Sequence, residues 1–116
     1  MSKLSTHALD LTAGRPAQGL RLELRRLDPS PVLLKAAVTN ADGRTDAPLL
    51  GPAEMAPGIY EITFHVGEYF DGKAPPGPQP PFLGIVPVRF GISDPKASYH
   101  VPLLMTPWAY STYRGS

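Results

Sequence analysis

The chain has 116 residues, 42% of them apolar, with 11 Lys and Arg against 10 Asp and Glu, a formal net charge of +1, and no cysteine. That length suits one globular domain, residues 1–116, with a modest core. Mixed-sign charge without a basic block leaves no footprint for nucleic acid or an anionic membrane surface, and the missing thiols exclude disulfides, thiol nucleophiles and thiolate metal sites.

From the amino end, "MSKLSTHALDLTAG" contains no apolar stretch long enough for a signal peptide, and no uncharged run elsewhere approaches membrane-spanning length, so the expected address is cytoplasmic. Fifteen prolines and eleven glycines cut the rest into pieces too short for many amphipathic helices. The first piece, "LSTHALDL", is a candidate strand in which His7 shares parity with Leu9 and Leu11. In "GLRLELRRL", Leu20, Leu22 and Leu24 point one way and Arg21, Glu23 and Arg25 the other, as a strand with one wet face requires. "VLLKAAVTN" is a further strand, ended by "NADGR", where Asp42 and Gly43 supply the backbone freedom of a tight hairpin and a short strand is expected after Gly43.

"GIYEITFHV" alternates again, with Tyr60, Ile62, Phe64 and Val66 opposed to Glu61, Thr63 and His65. The stretch "DGKAPPGPQPP", residues 71–81, lacks the donors of a helix or central strand and reads as an extended surface loop. "VPVRFGI" places Val86, Val88, Phe90 and Ile92 on one side and Arg89 on the other. The last segment, "SYHVPLLMTPWAYSTYR", breaks the wet-face rule: Val101, Leu103 and Met105 fall on one side, Leu104 on the other, with Trp108 and Tyr110 close behind. The whole reads as all-β, about seven or eight strands at the turn spacing of a sandwich. A small sandwich covers only its inner face, so the doubly apolar end predicts symmetric self-association; the alternative is a strand lying under the chain's own Pro-rich loop.

Without cysteine, histidine is the natural acid or base near neutral pH, and there are three. His65 shares a face with Glu61 and Thr63 and reads as solvated surface. His7 and His100 read either as core histidines bonded to a backbone carbonyl or as site residues, and Arg44, after a turn, reads as a solvated residue that alone says little. A metal site from His7 and His100 lacks both HxH and HExxH spacing and placeable carboxylate partners, so neither metal nor cofactor is expected. There is no GxSxG elbow and no phosphate-cradling glycine loop.

Four stretches together, "STHALDLTAGRPA", "TNADGRTD", "GIYEITFHVGEYF" and above all "YHVPLLMTPWAYSTYRGS", resemble the transthyretin-related proteins, and within them the hydroxyisourate hydrolases of purine breakdown, over nearly the whole chain. The resemblance implies a prealbumin-like sandwich of two four-stranded sheets, assembled as a homotetramer, a dimer of dimers with sites at the mouths of a central channel. It implies hydrolysis of 5-hydroxyisourate to 2-oxo-4-hydroxy-4-carboxy-5-ureidoimidazoline, a cyclic amide opened by water. It matches His7, Arg44 and His100 to catalytic positions: His100 activating water, His7 orienting the ring or shuttling the proton, Arg44 anchoring substrate and stabilising the oxyanion. Tyr113, Arg114, Gly115 and Ser116 match the family's terminal tetrapeptide. Tyr113 would then supply a wall and a hydroxyl, Arg114 and Ser116 contacts to substrate, and Gly115 a close backbone approach. The Pro-rich segment departs from the family: relatives often carry a short helix after the "YF" matched by Tyr69 and Phe70, and the prolines argue against one here. The competing functions are a transthyretin-like small-ligand carrier without catalysis, and an accessory sandwich module with no site.

Overall fold

The computed structural model describes residues 1–73 and 77–116. Its elements are β1 (Leu4–Asp10), β2 (Arg15–Pro16), β3 (Arg21–Arg26), β4 (Val32–Val38), β5 (Gly58–Phe64), α1 (Val66–Asp71), β6 (Val86–Ile92), β7 (Tyr99–Met105) and β8 (Tyr110–Thr112). They form two four-stranded sheets, ordered β2-β1-β7-β8 and β4-β3-β5-β6. This is the all-β sandwich that the alternating pattern and the resemblance predict.

Period two decides what is buried. Leu20, Leu22, Leu24, Tyr60, Ile62, Phe64, Val86 and Ile92 meet Leu4, Ala8, Val101, Leu103 and Met105 in one core. Removing each such leucine from water contributes about 1.5–3 kcal/mol, against the conformational entropy of ordering the strand. Thr6 is buried with them, and its hydroxyl donates to the Val101 carbonyl at 2.7 Å.

One pairing positions the site. β1 and β7 run parallel over their full length, from Leu4 opposite Tyr99 to Asp10 opposite Met105, whereas the other ladders are antiparallel. With the inner positions filled by Leu4, Thr6, Ala8 and Val101, the alternate residues Ser5, His7, Leu9, His100 and Leu104 lie on the sheet's outer face, half-buried.

Three expectations are corrected. The turn at 40–44 closes on itself, with Gly43 N–H donating to the Asn40 carbonyl at 2.9 Å and Asn40 N–H to the Arg44 carbonyl at 2.8 Å, but it does not lead into a hairpin. The chain instead crosses to the open edge of β1, which β2 covers only at Leu9 and Asp10. Ala8 N–H donates to the Gly43 carbonyl at 2.7 Å, and the strand expected after Gly43 is reduced to a single bridge between Leu4 and Leu50.

The alternation through Val66 also overruns: β5 stops at Phe64, and α1 buries Val66, Gly67 and Tyr69. At six residues α1 is too short to print a helical period on the sequence, and it lies before the prolines that argue against a helix. Of the loop expected over 71–81, residues 74–76 lie outside the described residues; 77–80 are exposed and irregular.

His65, finally, is not simply solvated. Its Nε2 lies 2.8 Å from Glu23 Oε2, and its side chain is 14% exposed. Parity places a residue on a face but does not reveal which neighbour the next strand brings to it.

Candidate active site

The outer face of the β1–β7 pair holds the chemistry. Register sets Ser5 opposite His100 and His7 opposite Pro102, so the two imidazoles, 93 positions apart, lie with ring centroids 6.5 Å apart. His100 Nδ1 is 2.8 Å from the Ser5 hydroxyl. Among the described residues neither ring bonds to a backbone carbonyl, as a core histidine would.

Arg44 arrives from the loop docked on β1. Gly43 has φ +75° and packs so closely that a Cβ there would fall 2.3 Å from the Ala8 carbonyl oxygen, so only glycine passes the turn against the strand. That contact delivers Arg44 to a cavity of about 250 Å³ lined by Lys3, Ser5, Arg44, Ser98, Tyr99, His100 and Ser116. No carboxylate side chain is among those lining residues, and two of them are cations.

The carboxy-terminal residues divide. Gly115 N–H donates to the His100 carbonyl at 2.7 Å, extending the sheet past β8. A Cβ at 115 would fall 2.5 Å from the His100 ring, so the absence of a side chain lets the backbone pack against the imidazole. Ser116 therefore reaches the cavity. Arg114 takes the opposite side: its guanidinium stacks 4.2 Å over the Tyr99 ring and donates to the Ser98 carbonyl at 3.3 Å. With Tyr113, Arg114 lines a second cavity of about 350 Å³ between β6, β7 and β8. The structure thus gathers His7, Arg44, His100 and Ser116, and leaves Tyr113 and Arg114 apart from them within one chain. Lys3 and Ser5 were missed by sequence reasoning, since a lone lysine and a lone serine leave no pattern.

His100 is held below the ordinary imidazole pKa, first by its burial and then by the positive field of Arg44, His7 and Lys3. It is therefore neutral at neutral pH, with a lone pair available. Neutral imidazole, fixed cation and hydroxyls around a small cavity can accept a proton, stabilise a developing oxyanion and hold a polar, anionic ring.

The HIUase/Transthyretin family model matches residues 4–115. The chain is 50% identical over 115 residues to 5-hydroxyisourate hydrolase 2 of Rhizobium meliloti, covering 98% of this chain and 96% of that one. It superimposes on the crystal structure of an (S)-allantoin synthase with a TM-score of 0.93 and 47% identity, covering 99% of this chain and 44% of that one. On the 5-hydroxyisourate hydrolase of Klebsiella pneumoniae the TM-score is 0.81 at 34% identity, with all of both chains covered. With a family match over nearly its full length and relatives at this identity, the chain belongs to the HIUase/Transthyretin family.

Proposed function

We propose that the protein is a 5-hydroxyisourate hydrolase, the activity named for its relatives in R. meliloti and K. pneumoniae. The observation that carries this reading is the meeting of Arg44 and His100 in one cavity lined by no acidic side chain, with His7 beside His100 at 6.5 Å. A cavity lined by cations, hydroxyls and imidazole favours an oxygen-rich anion over the apolar ligand a carrier would hold.

The reaction is hydrolysis of a cyclic amide. His100 takes a proton from water as its oxygen adds to the ring carbonyl. Arg44 faces the oxyanion with a fixed planar fork of donors. The tetrahedral centre collapses, the C–N bond breaks, and the His100 imidazolium returns its proton to the departing nitrogen, leaving a carboxylic acid that ionises beside Arg44 and Lys3. His7 orients the ring or carries the proton onward, and Ser116 adds a hydroxyl to the polar wall. Tyr113 and Arg114 serve the substrate of a neighbouring subunit in a homotetramer, since within one chain they face the other cavity.

The test follows the ultraviolet absorbance of 5-hydroxyisourate freshly made by urate oxidation, with and without the protein, beside a thyroid-hormone binding assay. Accelerated decay of the intermediate is the expected result. Unchanged decay with tight binding of an apolar aromatic ligand overturns it in favour of a carrier.

A further inference from the structure

Ser5 has no role in the mechanism above, yet its hydroxyl occupies one of the two nitrogens of the proposed base. The 2.8 Å contact to His100 Nδ1 is, among the described residues, the sole hydrogen bond of the Ser5 hydroxyl and of the His100 ring. The neighbouring residues are tied on either side: the Thr6 hydroxyl donates to the Val101 carbonyl at 2.7 Å, and Gly115 N–H to the His100 carbonyl at 2.7 Å. Gly115 packs directly against the ring, so the imidazole has little room to rotate. With Nδ1 taken, Nε2 is the nitrogen left for a ligand.

We propose that Ser5 is the positioning residue of His100: its Oγ accepts the Nδ1–H, which leaves the lone pair on Nε2, where water is deprotonated. This inference rests on the hydrolase reading for its kinetic part. A neutral imidazole carries its proton on one nitrogen, and if Ser5 donated instead, Nε2 would hold the proton and could not act as base. As acceptor, Ser5 serves both states of the cycle, because neutral His100 and its imidazolium each donate from Nδ1. The proton taken at Nε2 leaves again from Nε2, and the Ser5 proton never moves. A hydroxyl here, in place of the carboxylate that commonly orients a histidine, adds no negative charge. The side chains whose charge acts on the ring are Lys3, His7 and Arg44, each of which opposes a second proton, while Ser116 brings the terminal carboxylate to the same cavity.

The test is nitrogen NMR of the His100 ring in the assembled protein, above its pKa, for the native chain, Ser5→Ala and Ser5→Thr. The native chain and S5T are expected to be protonated at Nδ1 with Nε2 bare, and S5A to show a mixture of tautomers. In the hydrolase assay S5A should lose roughly tenfold in kcat with little change in KM, and S5T should recover it. The acid limb of the S5A profile should move to lower pH, since the imidazolium loses its acceptor. Protonation at Nε2 in the native chain, or an S5A variant with native tautomer and native kcat, overturns the proposal. Absence of turnover by the native chain overturns the hydrolase reading, and the spectra still decide where the proton sits.

Discussion

Arg44 acts on His100 through space, so its charge and its shape are separable. Its positive field is the second cause, after burial, that holds the His100 pKa down. Arg44→Gln removes the field: the acid limb of kcat should move to higher pH, and kcat at neutral pH should fall roughly a hundredfold as the oxyanion loses its donors. Arg44→Lys keeps the field, so its acid limb should stay at the native position while kcat still falls, because an ammonium cannot reproduce the fork. A pH profile that moves equally in both variants would contradict the assigned cause. His100→Asn, which retains a polar side chain but no base, should lower kcat by roughly a hundredfold or more in a folded protein; near-native turnover would refute the base. At this scale pattern alone left His7 and His100 open between core and site, and Arg44 as a solvated turn residue; the family resemblance singled them out. Ser5 and Lys3 matter only through neighbours that register supplies, and register is not written in either segment.

Among the elements, β1 and α1 are joined by one buried carboxylate. Asp10, 3% exposed, accepts from Thr12 N–H at 2.9 Å, Ala13 N–H at 3.0 Å and the Tyr69 hydroxyl at 2.8 Å. Burial, then the bond to Asp10 and its charge, raise the Tyr69 pKa to about 12. Because the folded value lies above the ordinary value of about 10, this contribution is intact below pH ~10 and is lost as pH rises through about 12. Tyr69→Phe should cost about 1–3 kcal/mol at neutral pH, a fall in Tm of several degrees, and should flatten this part of the alkaline profile. Thermal melts of both proteins from neutral to alkaline pH check it; a constant difference would show that the bond is not the cause. The strands on either side of this joint were legible from Leu20, Leu22 and Leu24 or Tyr60, Ile62 and Phe64. The helix was not, because Val66 continues the buried parity of the strand before it and six residues are too few to print a helical period.

For the whole molecule, the doubly apolar end of the chain finds only partial cover within one subunit. The residue just past the Pro-rich loop does approach, with the Phe82 ring 5.8 Å from that of Trp108, yet Trp108 remains 62% exposed and Tyr110 44%. β8, three exposed residues long, is an open edge beside them. A homotetramer would bury this surface. Sedimentation equilibrium should give a mass near four times 12.5 kDa. Tyr110→Asp should yield smaller, folded and inactive species; a fully active monomer would remove the need for neighbours at the site.

The parallel ladder between β1 and β7 also dictates an order of events during synthesis. β3, β4, β5 and β6 pair with strands nearby in the chain and can zip up as they leave the ribosome, whereas β1 must wait, nearly unpartnered, for residues 99–105. The pocket is therefore among the last features to mature, and a nascent chain halted before β7 carries half a sandwich with an unsatisfied first strand.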